Sequence, residues 1–344
     1  MNRKKFVAIF MIVFTVMASS FAFYFYQILF TPNILVERED QIFAIAPGAD
    51  FKDVQNDLYD LGYVNDLVSF SFLSKIRDYD DYVKPGLYQL RRDMSNLQAI
   101  NLLRSGAQTP VKLTFTLARK IEELPEKLDP FVHFSAEDLA ALLLSDSVAR
   151  AYGFEKETFI SMFIPNTYEV YWTISPEEFL NRMKKEYDRF WNEERRQKAE
   201  AIGLSPKEVS TLASIVESET NKMDEAPTVA GLYLNRLKRG MLLQADPTLK
   251  FAIGDFTIRR ILNKDKEIES PYNTYKYSGL PPGPISLPSI AALNAVLNAE
   301  NHEYLYLCAK ADFSGYHAFA TNLTDHNKNA EALHRTLNKE RIFR

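Results

Sequence analysis

The chain has 344 residues, 46% of them hydrophobic, which is enough for two or three domains with cores of their own. Its 41 Lys and Arg against 45 Asp and Glu leave a net charge of −4, and no basic tract stands out beyond the extreme N-terminus, so nucleic-acid binding is not expected. The single cysteine, Cys308, sits in an apolar strand-like run; it excludes an internal disulfide and a cysteine-built zinc cage and reads as a small core residue.

Residues 6–30 carry no charge, and their polar members besides Tyr24 and Tyr26 are Thr15, Ser19, Ser20 and Gln27. A run of that length can span a bilayer. Arg3, Lys4 and Lys5 precede it and Glu37, Glu39 and Asp40 follow, so the positive-inside rule leaves residues 1–5 in the cytoplasm and sends everything after residue 31 outside. Tyr24 and Tyr26 suit an interfacial belt. Ser20-Phe21-Ala22 offers a weak processing site, but the apolar run continues past it, which favours an uncleaved anchor.

Gln41–Ile45 reads as a strand broken by Pro47-Gly48. Asp50 then caps a helix carrying Phe51, Val54, Leu58 and Leu61, ended by Gly62, and Leu67, Phe70, Leu73 and Ile76 mark a second helix. Gly86–Leu90 is strand-like, Ser95 caps a helix through Leu103, and Val111, Leu113 and Phe115 alternate as another strand. The order strand, two short helices, strand resembles LysM-type glycan-binding modules, by element order rather than by motif; a plain α+β spacer has the same order. Residues 117–200 are mostly helical in pattern, with Ser135 and Ser175-Pro-Glu-Glu178 as N-termini. Met162–Trp172 is aromatic-rich and reads as core, with a sugar-stacking surface as the alternative.

Ser205 at N-cap, Pro206 at N1 and Glu208 at N3 form a capping box. Behind it Val209, Leu212, Ala213 and Val216 repeat at helical spacing, and Ile215 widens the stripe. On the helical wheel Glu217 lies at one edge of this stripe and Glu219 at the other. A carboxyl held against apolar side chains loses hydration of its charged form and stays protonated more readily, as a general acid requires. The wheel leaves open which of the two is the acid, and also whether either is only a helix-edge ion pair with Lys222 or Arg236. Pro227 starts the next helix, closed by Gly240, and Asp246 reads as the N-cap of another. Two rigid loops follow, 270–275 and 279–286. Tyr304–Ala309 and Tyr316–Ala320 read as a hairpin, and a final helix begins near Asp325.

Ala213-Ser-Ile-Val-Glu-Ser-Glu-Thr220, Asn235-Arg-Leu237, Leu243-Gln-Ala-Asp-Pro-Thr248, Tyr272-Asn-Thr-Tyr275, Gly279-Leu-Pro-Pro-Gly283 and His317 through Asn327, taken together, resemble the YceG-like family of endolytic murein transglycosylases. The resemblance implies a chain of class α+β: tail 1–5, transmembrane anchor 6–30, LysM-like module 31–116, helical intermediate region 117–204 and a mixed α+β catalytic domain 205–344. It implies peptidoglycan glycan strands as substrate, a place in the cytoplasmic membrane with the catalytic domain facing the cell wall, peptidoglycan synthases as possible partners, and no cofactor. It puts the essential glutamate on Glu217. Gln244, Asp246, Asn273, Tyr275, Gly283, His317 and Asn322 become expected substrate-binding groups, although Asp246 also suits a helix cap, Gly283 a turn and Asn273 a loop staple. His317 and His326 fit no tight metal spacing, and no metal site is expected.

Glu217 and Glu219, two apart on a helix, point roughly 200° away from each other, so they cannot form the pair of carboxyls about 5–5.5 Å or about 6.5–9.5 Å apart that glycosidases use. A lytic transglycosylase needs one acid, because the 6-hydroxyl of muramic acid attacks its own anomeric carbon. A non-catalytic glycan-binding scaffold and a hydrolytic muramidase are the competing readings.

Overall fold

The computed structural model describes residues 3–38, 41–116, 118–258 and 261–339. The chain divides into two compact units, the first built from Met1–Lys112, Phe131–His133 and Glu169–Ile174, the second from Leu113–Pro130, Phe134–Tyr168 and Ser175–Arg344. Most of the region expected as a separate helical segment, 117–204, lies in the second unit.

The first unit opens with α1 (Arg3–Phe30), a 28-residue apolar helix long enough to cross a membrane, whose one buried residue is Ile28. Then come β1 (Gln41–Ile45), α2 (Phe51–Asp60), α3 (Leu67–Ile76), β2 (Gly86–Leu90) and α4 (Asn96–Ser105). The expected strand, two helices, strand order is therefore present. β1 and β2 pair antiparallel with Phe43 opposite Tyr88, and the period-two alternation buries Phe43, Ile45, Tyr88 and Leu90 on one face. Helical spacing brings Val54 and Leu58 of α2, Phe70 and Leu73 of α3, and Ala99, Ile100 and Leu103 of α4 onto that face. The caps are local: Asp50 and Ser95 form capping boxes, and Asp66 accepts from two backbone N–H groups at the start of α3. Two buried amides tie the unit together. Asn33 donates to the Asp66 carbonyl and to Asn96 Oδ1, while Asn96 donates to the Ile28 carbonyl at the end of α1 and to Ser69.

β3 (Val111–Phe115) and β4 (Asn166–Val170) form a second two-stranded sheet. The aromatic segment around β4 is core: Met162, Phe163, Ile164, Tyr168 and Val170 are buried, and Tyr171 points outward. The helices of the second unit are α5 (Leu124–Leu128), α6 (Ala136–Leu143), α7 (Asp146–Ala151), α8 (Pro176–Phe190), α9 (Glu193–Ala201), α10 (Pro206–Glu219), α11 (Ala226–Lys238), α12 (Asp246–Ile253), α13 (Ile290–Leu297) and α14 (Leu323–Lys339), with a 3₁₀ segment at Lys156–Met162. α10 carries the expected Ser205 and Glu208 capping box and packs against α11, α12 and α13. Val209, Leu212, Ala213, Ile215 and Val216 are completely buried, each large aliphatic contributing about 1.5–3 kcal/mol by leaving water.

The hairpin is shorter than its sequence pattern. β5 (Tyr306–Ala309) pairs antiparallel with β6 (His317–Ala320), because residues 302–305 turn their carbonyls to α11: Asn235 donates to those of His302 and Tyr304, and the buried Arg236 to that of Leu305. α14 starts two residues before Asp325 and packs on the hairpin.

Candidate active site

The two glutamates at the end of α10 have different neighbours. Ser214 and Glu217, three apart and so on one face of the helix, hold the proline-rich loop: the Ile285 N–H donates to Ser214 Oγ at 3.0 Å, and the Ser289 N–H donates to Glu217 Oε2 at 3.0 Å. Ser289 is the N-cap of α13, so Glu217, half-buried, supplies from another helix the acceptor that the N3 residue of a capping box supplies locally. Glu219 faces α11. It accepts a hydrogen bond from the Tyr233 hydroxyl at 2.8 Å, and burial, opposed by that bond and reinforced by the nearby Asp246 charge, pushes its carboxyl above the ordinary carboxylate range. Glu219 is half-buried, as Glu217 is, and its raised carboxyl is the feature expected of the acid.

Glu219 lines a cavity of about 200 Å³ together with Tyr233, Arg236, Gln244, Asp246 and Tyr275. Three of the sequence-predicted residues, Gln244, Asp246 and Tyr275, meet there; Glu217, Asn273, Gly283, His317 and Asn322 are not in its wall. Tyr233 and Arg236 were absent from the expected set, although their i, i+3 spacing puts them on one face of α11, and an arginine inside an apolar helix is itself a signal. Arg236 pairs with neither glutamate. Its guanidinium donates to the carbonyls of Leu242 and Leu243 as well as Leu305, which fixes the segment leading into α12.

That segment is built for display. The N-cap of α12 is Ala245, with no side-chain capping bond, and Asp246 is the first helical residue. The expected capping role of Asp246 is therefore not observed: its carboxylate instead accepts the Tyr275 hydroxyl at 2.6 Å, and burial with this carboxylate pushes the Tyr275 phenol up. Gln244 adopts a left-handed φ of 51°, a strained conformation for a non-glycine residue. It is held by its N–H on the Thr274 carbonyl, by the Ala245 N–H on Thr274 Oγ1, and by Thr248 against Thr274.

The other predicted residues support these loops. Asn273 is fully buried; its amide donates to the carbonyls of Lys266 and Ile268, and its oxygen accepts the Tyr275 N–H. Gly283 is buried where an added Cβ would collide with the carbonyl oxygen of Glu157. Asn322 is exposed and accepts the Asp325 N–H at the start of α14. His317 contacts the buried Glu225 through Nδ1 at 2.7 Å, and its N–H donates to the same carboxylate at 3.0 Å. Burial would raise Glu225, but bonds from Thr220 and His317 outweigh it and hold the carboxyl low. Among the described residues, no group of three His, Cys, Asp or Glu side chains is arranged to hold a metal ion.

One carboxyl raised by burial, bonded to a phenol and facing polar side chains across a small cavity, has the makings of a group that delivers a proton to a leaving oxygen and takes one back. An endolytic murein transglycosylase of Streptococcus pneumoniae D39 is 26% identical over 379 aligned positions, covering 97% of this chain and 66% of the pneumococcal protein. This chain thus spans just under two thirds of that relative. The endolytic murein transglycosylase of Bacillus subtilis 168 is 41% identical over 128 residues, 37% of this chain and 35% of that protein. A crystal structure of a YceG-like protein from Listeria monocytogenes superimposes with a TM-score of 0.55 at 27% identity, covering 84% of this chain and 98% of the other. The model of the YceG-like family matches residues 43–332, well over half the chain, and the chain belongs to that family.

Proposed function

We propose that this protein cleaves the glycan strands of peptidoglycan by lytic transglycosylation, with Glu219 as the acid and base. The observation that carries the reading is the cavity in which a desolvated Glu219, tied to Tyr233, faces Gln244, Asp246 and Tyr275. Protonated Glu219 gives its proton to the glycosidic oxygen between muramic acid and the next glucosamine, and the bond from C1 to that oxygen breaks. The muramic 6-hydroxyl bonds to C1, and its proton passes to the Glu219 carboxylate, which restores the acid and leaves a 1,6-anhydro end. Water takes no part, so no second carboxylate is required. Tyr233 holds one oxygen of the carboxyl and leaves the other for substrate. Asp246, held by Tyr275, and Gln244 are positioned to hydrogen-bond the sugar.

The family resemblance put the acid on Glu217, whereas its bond to Ser289 favours a loop-anchoring role. Full-length protein in detergent, incubated with purified glycan strands, separates the two. With wild type, mass analysis should show anhydro ends, one water lighter than hydrolysed ends. Glu219→Gln should abolish them, and Glu217→Gln, which keeps an acceptor for Ser289, should leave them; the reverse pattern would return the role to Glu217. Reducing ends would make the protein a muramidase, and binding without any cleavage a scaffold. The first unit, LysM-like in element order, is read as a glycan-holding module. α1 confines the activity to nascent strands at the cytoplasmic membrane, beside the synthases, where cleavage limits strand length. Normal strand length in cells carrying a form without residues 1–31 would refute that confinement.

A further inference from the structure

Cleaving a polymer from a cavity of about 200 Å³ leaves most of the ligand uncovered, since sites for drug-sized ligands run to about 300–1,000 Å³. A second cavity, of about 250 Å³, lies in the same unit. The two share their walls' supports. Asp246 at the start of α12 faces the first and Phe251 of the same helix the second, five residues on, about 7.5 Å further along the axis and about 140° round it, so a strand reaching both passes around α12; Tyr275 and Tyr272, from one loop, divide likewise. The floor of the second cavity is an aromatic ledge, with Phe251 and Tyr272 4.7 Å apart between ring centroids. Its rim carries Arg119, Lys120 and Lys156 against Glu122 and Glu157. Among the described residues none of these five makes an ion pair. The Arg119 guanidinium lies 4.4 Å over the Phe256 ring and the Lys120 ammonium 5.9 Å over Phe251, so both cations are steadied from below by the rings, while among the described residues neither charged head pairs with a carboxylate.

We propose that this cavity is a subsite for the glycan unit next to the cleaved bond, stacking the sugar's apolar face on Phe251 and Tyr272 and binding a carboxylate of the attached peptide through Arg119 and Lys120. The inference rests on the reading of the chain as a peptidoglycan-cleaving enzyme and adds that the enzyme recognises peptide-bearing strands. Arginine's planar fork matches a carboxylate with two parallel bonds, and the three cations outnumber the two acids on the rim.

Full-length protein in detergent is assayed on two glycan preparations, one with intact peptide stems and one stripped of them by an amidase, its freed lactyl carboxylates then converted to neutral amides. Replacing both Arg119→Ala and Lys120→Ala, exposed positions whose loss spares the fold, should raise KM about tenfold on intact strands, leave kcat within about twofold, and leave stripped strands unaffected. Phe251→Leu, which keeps bulk and loses the ring, should raise KM on both. An unchanged KM on intact strands, or an equal rise on both preparations after the Arg119 and Lys120 replacements, overturns the assignment. Fluorescence anisotropy of labelled strands on a protein carrying both Glu217→Gln and Glu219→Gln tests the subsite apart from catalysis: a preference for intact strands that the Arg119 and Lys120 replacements remove supports it, and no preference overturns it, whichever glutamate is the acid.

Discussion

Replacing Asn273→Ala distinguishes a loop staple from a sugar ligand. The side chain is fully buried and makes three hydrogen bonds: two donated to the carbonyls of Lys266 and Ile268 at 2.9 and 2.8 Å, and one accepted from the Tyr275 N–H at 3.0 Å. A buried hydrogen bond is worth about 1 kcal/mol net, so their joint loss comes to about 3 kcal/mol. For a unit of this size each kcal/mol moves Tm by about 2–4 °C, which predicts a fall of about 6–12 °C in calorimetry or thermal circular dichroism of the detergent-solubilised protein. Because the same loop carries Tyr275, and Tyr275 holds Asp246, cleavage should weaken with the fold still present at low temperature. Asn273→Asp should be worse, since it sets a carboxylate against two carbonyl oxygens while keeping only the acceptor for Tyr275. An Asn273→Ala protein with Tm within about 2 °C of wild type and a raised KM would refute the argument and make Asn273 a ligand.

Burial raises the Glu219 carboxyl, so above the unfolded carboxyl's ordinary value, about 4.3, the folded state keeps a proton that the unfolded state releases, and stability falls as pH rises through the folded pKa. Glu219→Gln should remove that loss, giving a urea midpoint that exceeds wild type progressively toward alkaline pH; identical pH profiles would show that the carboxyl is not desolvated. Glu225 runs the opposite way: its carboxyl is held low, so its contribution is present above its unfolded pKa and disappears as pH falls through the folded one, and Glu225→Gln should flatten the acid limb of the stability profile. Gly283→Ala drives a methyl into the Glu157 carbonyl and should cost about 1–3 kcal/mol by thermal unfolding; an unshifted Tm would mean that the loop yields freely. Glu217→Ala, unlike Glu217→Gln, leaves the Ser289 N–H without its acceptor and should cost about 1–3 kcal/mol, read as a lower urea midpoint with anhydro ends still formed.

Local chemistry made much of this fold legible. Ser205 with Glu208, Ser95 with Gln98 and Asp50 with Asp53 close the capping boxes that their spacing announces, and the alternation in 41–45 and 86–90 buries the faces it should. What the sequence withholds depends on distant partners. Glu217 and Glu219 sit at equivalent edges of one stripe, and only the arrival of Ser289 on one side and Tyr233 on the other tells them apart. Asp246 has the sequence of a helix cap, but Tyr275, 29 residues on, takes its carboxylate. Asn273, Gly283 and Asn322 shape loops and a helix start, a role that a string of letters does not distinguish from touching sugar.

The amide of Asn96 donates to the Ile28 carbonyl in the last turn of the apolar helix and to the Ser69 hydroxyl, and its oxygen accepts from Asn33. The apolar helix is consequently pinned at its C-terminal end to the strand and helix module rather than hung from it by a loose linker. Trimming the protein at residue 30 would leave that knot without the helix end that braces it, and material prepared so would report on a looser first unit than the full-length chain has.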